Sequence, residues 1–173
     1  MIEQVSHTGN VARLSDDEVY RWMLDRKLGG PRVLGICGLN PSTADAHEND
    51  QTISKETGFA LRWQCNWLWK VNAYGYRATK PTDMRLAAKR GVDIVGPEND
   101  ASVRECLQAV VDSAGIFLVA WGGNIEPSRQ AELAYLIDEY DVAPMCLGTN
   151  GDGTPKHPLY LPYSTPLVRW SCP

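Results

Sequence analysis

The segment Leu34–Ala46, with the sequence LGICGLNPSTADA, decides the predicted fold. Its first residues continue an apolar run over 32–37 that is typical of a buried strand. The run ends in a loop over 38–43, GLNPST, which combines turn-forming and hydrogen-bonding residues. In α/β proteins, ligands bind where a strand ends in such a loop. We therefore expect a binding site at this junction.

Three further apolar segments, 67–74, 116–121 and 143–147, predict strands. Helical patterns separate them, after Thr52 and over 82–90, 97–114 and 127–140. Apolar strands that alternate with helices favour a parallel sheet with both faces covered. The sequence thus predicts an α/β fold with three layers, α/β/α, around a four-stranded, mainly parallel sheet.

The length of 173 residues predicts one α/β domain, over 1–173. Residues 1–14 are expected to form a loose lead-in or an edge strand. The segment 15–18, SDDE, is typical of a capping box and predicts a helix that carries Val19, Trp22 and Met23. Residues 149–173 are expected to form a hairpin, indicated by NGDG at 150–153, and a tail.

Composition excludes several classes of protein. The net charge of −4 gives no overall electrostatic case for nucleic-acid binding. The longest apolar runs have only a few residues, so no membrane partner is expected, and the first ten residues lack the pattern of a signal peptide. The five cysteines are scattered without a CxxC pair, which favours reduced thiols and a cytoplasmic protein. The oligomeric state is left open.

The four predicted strands should end at one edge of the sheet and form a pocket there. The expected lining combines amides, hydroxyls, aromatic rings and an imidazole: Asn40, Pro41, Ser42, Thr43, Asn72, Tyr74, Tyr76, Arg77, Trp121, Gly122 and His157. Asn40 either forms a turn or holds a water or polar ligand. Asn72 is either a backbone cap or a reader of a polar edge, because its amide offers donors and an acceptor. The aromatic residues are either core or a stacking wall for a flat ring.

The loop after the first strand carries Asp45, His47, Asn49 and Asp50. Their spacing matches no standard metal site, so a solvated loop is expected and no metal is predicted. The chain also lacks GxGxxG, a Walker loop, GxSxG and HExxH, so no cofactor is predicted.

Four motifs carry a resemblance to a known superfamily. GLNPST, WKVN, FLVAWG and HP follow or end the four predicted strands, and in this order they resemble the strand-end motifs of the uracil-DNA glycosylase superfamily. Roughly residues 32–170 also resemble a family of uncharacterised bacterial and phage proteins with a domain of unknown function. That family shows segments similar to NPSTAD, AYRAT, GPEND, AWG and HPLYLP.

The glycosylase resemblance implies a fold of that type and a role for each matched residue. Asn40 would position the hydrolytic water, and Asn72 would read the Watson–Crick edge of a base. His157 would donate a hydrogen bond to the departing base. An aromatic side chain, Phe59 or one of 74–76, would stack on the base after it flips out of its helix.

These expectations lead to one leading function and two alternatives. The leading one is a glycosylase-like hydrolase of an N-glycosidic bond, which acts on a nucleobase, modified or not, in DNA or in a nucleotide. Such an activity belongs to DNA modification or repair in a bacterium or phage. The first alternative is a non-catalytic module that binds a nucleotide or modified base. The second is a different hydrolase or transferase that uses the same pocket with Asp45 or Asp50 as its base.

Overall fold

The structure, a computed structural model, describes all 173 residues. Its strands are β1 (Ile2–Val5), β2 (Val11–Leu14), β3 (Arg21–Lys27), β4 (Val33–Gly38), β5 (Trp67–Asn72), β6 (Ile116–Val119), β7 (Pro144–Cys146) and β8 (Val168–Arg169). Its helices are α1 (Gln51–Arg62), α2 (Pro81–Lys89), α3 (Asn99–Asp112) and α4 (Pro127–Asp138), with 3-10 turns at Gly122–Asn124 and Pro158–Tyr160. All strands form one sheet in the order β1-β2-β3-β5-β4-β6-β7-β8.

The predicted four-stranded, mainly parallel sheet is wrong. The sheet has eight strands and is mixed, because the pairs β1–β2, β2–β3, β3–β5 and β7–β8 are antiparallel. The fold expected from the glycosylase resemblance is therefore not the one observed. The four strands that the sequence does predict lie side by side as β5-β4-β6-β7, and all three of their pairings are parallel.

The N-terminal helix predicted from the capping box is also wrong. Residues 15–20 form a turn in which Glu18 has a φ of 56°, and the chain then enters β3. β3 pairs with β2 on one side and with β5 on the other, so its backbone groups are bonded along both edges. A local helical preference is weak, and pairing on two sides with burial on two faces overrides it. Residues 1–14 form the hairpin β1–β2 at the sheet edge.

Helices cover both faces of the sheet. On the α1 face, Ile53 and Phe59 of α1 pack with Leu34, Leu68 and other buried strand residues. On the opposite face, α3 and α4 pack their apolar side chains over the strands, with Val103, Leu107, Val110, Leu133 and Ile137 buried. Side chains alternate along a strand, so successive residues of β4 and β5 enter different cores. The α1 face carries the site described below.

Four of the five cysteines are buried in the two cores. All five cysteines are free, and only Cys172 is exposed. Burial raises the pKa of the Cys37 thiol to about 12, so it behaves as an apolar side chain of the core. None of the helices combines the length and the apolar character that crossing a membrane requires.

Candidate functional site

A cavity of about 370 Å³ lies on the α1 face, where β4 and β5 end. Six of the residues singled out in the sequence line it: Asn40, Ser42, Asp50, Asn72, Trp121 and His157. Asn40 and His157 are 117 positions apart; Asn40 follows β4 directly, and the hairpin bridged by Thr149 and Pro155 brings His157 to the same edge of the sheet. Their common location agrees with the sequence prediction, and their chemical roles stay predictions.

Asn72, the last residue of β5, has a side-chain amide without a hydrogen-bond partner. The residue is only 1% exposed, yet neither its Nδ2 nor its Oδ1 has a hydrogen-bond partner in the protein. Its backbone is satisfied, since Asn99 Nδ2 donates to the Asn72 carbonyl at 3.0 Å. A buried polar group without a partner is costly, and native proteins keep few of them. The side chain thus presents a donor and an acceptor together to whatever occupies the cavity.

Asn40 has an amide whose orientation the loop determines. Its Nδ2 donates to the carbonyl oxygens of Ala78 at 2.7 Å and of Pro41 at 3.1 Å. No protein donor bonds its Oδ1, and the residue is half-buried at the cavity wall. The two bonds from Nδ2 distinguish the nitrogen from the oxygen. The oxygen is left as an acceptor for a water or a ligand.

His157 reaches the cavity through a hairpin. Thr149 and Pro155 form a bridge across the turn, and Gly122 N donates to Pro155 O at 3.0 Å. These bonds tie the returning segment to the loop after β6. The 3-10 turn that follows His157 then packs against α1. The imidazole therefore lies at the mouth of the cavity, although His157 does not come directly after one of the parallel strands.

The ring of His157 has a defined tautomer. Leu159 N donates to its Nδ1 at 3.3 Å, so Nδ1 is unprotonated and Nε2 carries the hydrogen. Partial burial of the ring, with a smaller contribution from the Lys70 ammonium, lowers the pKa of His157 to about 4. The residue as a whole is exposed at the cavity mouth. At neutral pH the imidazole is a neutral donor.

A buried ion pair lies beside Asn72. Lys70, two residues earlier on the same side of β5, contacts Glu56 of α1, and the two side chains are 5% and 0% exposed. Lys70 also lines the cavity. Burial raises the pKa of Glu56, and the Lys70 charge opposes that rise. The pair joins the helix to the strand that carries Asn72.

Asp50 is used for local structure. It caps α1, with Oδ1 accepting from Ile53 N at 2.8 Å and Oδ2 accepting from the Ser42 hydroxyl. Burial raises its pKa, but these hydrogen bonds and the charges of Arg21 and Lys70 outweigh burial and lower the pKa overall. The carboxylate is thus ionised at neutral pH and is a weak base. The helix expected after Thr52 begins at Gln51, with Asp50 as its cap.

Several predicted site residues do not line the cavity. Tyr74 is buried against the opposite face, where its hydroxyl accepts from Glu126 N at 3.1 Å. Tyr76 packs edge-on against Tyr20, with ring centroids 6.1 Å apart. Phe59 is fully buried between Trp63 and Tyr163. Tyr74 and Phe59 are therefore core residues, and Tyr76 is half-buried against the core, so other side chains cover these rings.

The remaining predicted positions lie in loops that border the cavity, but their residues do not line it. Arg77 lies against Glu18, Gly122 has a φ of 71° in a turn, and Asp45 accepts the backbone N–H groups of 47 and 48. Pro41 is buried and Thr43 is exposed, and neither lines the cavity. Asp45 does not line the cavity either. No group of three or more His, Cys, Asp or Glu side chains is arranged to hold a metal ion.

Among the lining residues that the sequence did not suggest for the site are Arg21, Thr52, Lys70, Asn124 and Tyr160. Lys70 could have been noticed in the sequence, because it lies inside the apolar strand WLWKVN and an unpaired ammonium is rarely buried. Tyr160 follows the HP motif and is 89% exposed at the rim. The sequence did not indicate Arg21 as a site residue, because the pattern of its segment predicts a helix.

Residues 21–159 match the model of the family described as "Protein of unknown function (DUF1643)", and the chain belongs to this family. This match confirms the expected membership of a family without an assigned function. No curated protein matches the chain, and no solved structure matches it.

Proposed function

We propose that this member of the DUF1643 family is a glycosylase-like enzyme that binds a nucleobase in the cavity and hydrolyses its N-glycosidic bond. The base, modified or not, belongs to DNA or to a nucleotide. One observation carries the proposal: the amide of Asn72 is buried, has no partner and faces a cavity shared with Asn40 and His157. A base edge presents adjacent donors and acceptors, which an Asn amide can pair in a bidentate way.

The three residues divide the reaction among them. Asn72 holds the base edge. Asn40 Oδ1 accepts a hydrogen bond from a water, which adds to the sugar carbon as the carbon–nitrogen bond breaks. The base takes the electron pair of that bond, and His157 Nε2 donates a hydrogen bond to the negative charge that develops. The proton that the added water loses ends on the departing base, so the products are the sugar with a hydroxyl group and the neutral base. A neutral imidazole is sufficient for this purpose, and its lowered pKa keeps it neutral.

The order of the motifs supports the same assignment. GLNPST, WKVN and HP resemble glycosylase motifs, and their Asn40, Asn72 and His157 line one cavity. The proposal does not depend on the fold, since the mixed sheet differs from the predicted one. Site residues carry a function more directly than a fold does.

Two aromatic residues line the cavity: Trp121, which the sequence predicted and which is 1% exposed, and Tyr160, which it did not. Trp121 lines the cavity, and its indole is held by a bond from Nε1 to Gln130 Oε1 at 3.0 Å and by edge-on packing on Trp170. Tyr160 is free at the rim. Stacking on such rings accepts any base, so discrimination between bases falls to Asn72.

A second candidate is a non-catalytic module that binds a modified base or a nucleotide. Position 40 favours it, because an amide oxygen activates water less than a carboxylate does. The nearest alternative base, Asp50, already accepts hydrogen bonds from Ser42 and Ile53. In that case the same cavity would bind the base or nucleotide without hydrolysing it.

Single-turnover assays on oligonucleotides and nucleotides with unmodified and modified bases test the proposal. We expect base release from at least one substrate, lost in Asn72→Ala and His157→Ala. Asn66→Ala, just before the opposite end of β5, is the matched control and should act as wild type. Binding that requires Asn72 but gives no release would identify the binding module instead. Release that persists in Asn72→Ala would contradict the proposed site.

A further inference from the structure

Arg21 is a buried cation without an anionic partner. The residue is 2% exposed and lines the cavity, but none of the eight ion pairs of the protein includes it. Its Nη1 donates to Ala44 O at 2.5 Å. Its Nε has no acceptor, and Nη2 makes no hydrogen bond to the protein. A buried charge normally has a partner, because removing it from water is costly.

A β-bulge turns Arg21 toward the cavity. Arg13 pairs with Met23, but Leu14 pairs with Arg21, so one extra residue lies in β3. The bulge breaks the alternation of side chains. Leu24 and Arg21, three residues apart, therefore both contact the α1 face, where Leu24 is in the core and Arg21 bonds to Ala44. Bulges of this kind often re-aim a side chain beside a functional site.

The unused edge of Arg21 has the geometry of a fork. In a guanidinium group, Nε–H and the nearer N–H of Nη2 point the same way, which is the arrangement that binds two oxygens of a carboxylate or phosphate. The N-terminus of α1 reaches the same cavity through Thr52. The backbone N–H groups of Gln51 and Thr52 donate to no protein atom, and the helix dipole adds positive potential there.

Asp50 is not the anionic partner of the Arg21 guanidinium. Its two oxygens accept from Ile53 N and from the Ser42 hydroxyl, and it forms no ion pair with Arg21. Its charge is near enough to offset part of the Arg21 charge, as is that of Glu56, which pairs with Lys70. The Nε–H group of Arg21 thus has no acceptor in the protein, although the residue lines the cavity.

We propose that Arg21 and the first turn of α1 form an oxyanion subsite of the cavity, so the ligand carries a phosphate or a carboxylate besides the group that Asn72 reads. The proposal rests on the proposed function only for the identity of the base. A cavity of about 370 Å³ falls in the usual range for a small ligand. The oxyanion is either the phosphate of a nucleotide or a carboxylate on the base itself.

Calorimetric binding to the full chain tests the subsite with inorganic phosphate, a set of nucleosides, their 5′-monophosphates, and a nucleoside with a carboxylate on its pyrimidine ring. We expect a charged ligand to bind roughly ten- to a hundredfold more tightly than its uncharged counterpart. Arg21→Met should abolish that difference. Arg77→Met removes another arginine with an unpartnered Nε, outside the cavity, and should leave it unchanged.

The results distinguish the two sources of the oxyanion. A preference for monophosphates identifies the sugar phosphate, and a preference for the carboxylated nucleoside identifies the base. Equal affinity for charged and uncharged ligands, or a preference that survives Arg21→Met, would overturn the proposal. Inorganic phosphate contains no base, so its Arg21-dependent binding stands even where no base release is found.

A third variant covers the case in which Arg21→Met does not fold. Arg21→Lys keeps the positive charge but cannot form the fork, so it should bind phosphate more weakly than the wild type. Its melting temperature should be close to that of the wild type. Thermal unfolding of the wild type with phosphate, compared with chloride at equal ionic strength, is independent of any variant. A melting temperature that phosphate does not raise would also overturn the proposal.

Discussion

Gly38 lies directly opposite Asn72 in the parallel pair of β4 and β5, and a Cβ on Gly38 would lie 3.0 Å from Asn72 Oδ1. The same Cβ would lie 2.7 Å from Lys70 Nζ. Both side chains are buried, and the ion pair with Glu56 holds the Lys70 ammonium in place. The absence of a side chain at position 38 therefore allows the amide and the ammonium to occupy the floor of the cavity.

Gly38→Ala should displace the Asn72 amide and weaken ligand binding by at least about tenfold, together with a loss of roughly 1–3 kcal/mol of stability from overpacking. Calorimetry and urea unfolding measure the two effects. Gly35→Ala is the matched control, because its Cβ would lie 2.8 Å from Cys106 Sγ in the other core. It should destabilise the protein and leave affinity unchanged, and equal losses of affinity in both variants would contradict the role of Gly38.

Asn72→Leu should leave the protein as stable as wild type or more stable, by about 1 kcal/mol. The substitution removes two buried polar atoms that have no partners in the folded chain, so no hydrogen bond is lost. Ligand binding should disappear at the same time, which is the usual conflict between stability and function at a site. Thermal unfolding checks the first statement, and a loss above about 2 kcal/mol would show that the amide stabilises the fold.

The Lys70–Glu56 pair should behave as a unit. Lys70→Met alone leaves the Glu56 carboxylate buried without its partner, and we expect a loss of about 3–5 kcal/mol in the free energy of unfolding. Lys70→Met combined with Glu56→Leu should recover most of that loss, because two apolar side chains replace two buried charges. Urea unfolding of the three proteins gives the coupling. Additive losses would show that the two residues do not interact.

The stability of the protein should depend on the protonation of His157. The pKa of His157 is lowered to about 4 from an ordinary value of 6.5, so the unfolded chain takes up the proton first as the pH falls. The stability that the neutral ring contributes is complete above pH 6.5 and is lost between pH 6.5 and 4. His157→Asn should lack this part of the pH dependence.

Proton NMR of the imidazole Cε1–H measures the same shift directly. The protein has three histidines, and the signal that is missing in His157→Asn belongs to this one. It should titrate well below pH 6.5. A midpoint at or above that pH would show that the ring is not desolvated, and the neutral donor assigned to the mechanism would be lost.

His157→Ala should reduce single-turnover base release by about two to three powers of ten, the usual effect of losing a hydrogen bond to a developing negative charge. Stability at pH 7 should stay within roughly 1 kcal/mol of wild type, because the residue is exposed at the cavity mouth. His157→Asn keeps an N–H donor and should retain part of the rate. Undiminished release in His157→Ala would remove this residue from the reaction.

The sequence alone determined the four central strands and where they end. Their apolar runs are nearly continuous and are bounded by turn residues, so the pattern by itself locates Asn40 and Asn72 at the edge of the sheet. Local pattern suffices there, because a buried parallel strand needs an apolar side chain at nearly every position. The hairpin that returns His157 to that edge has an equally local signal in NGDG.

Tertiary structure decided the rest of the sheet and much of the site. The segment that contains Arg21 has a helical pattern by itself, and only pairing with β2 and β5 makes it a strand. Tyr74 and Phe59 are aromatic side chains that suit a stacking wall or a core equally well, and long-range packing placed both in the core. Strand pairing and burial join residues far apart in the chain, so neither the bulge that directs Arg21 nor the unused amide of Asn72 could be inferred from neighbouring residues.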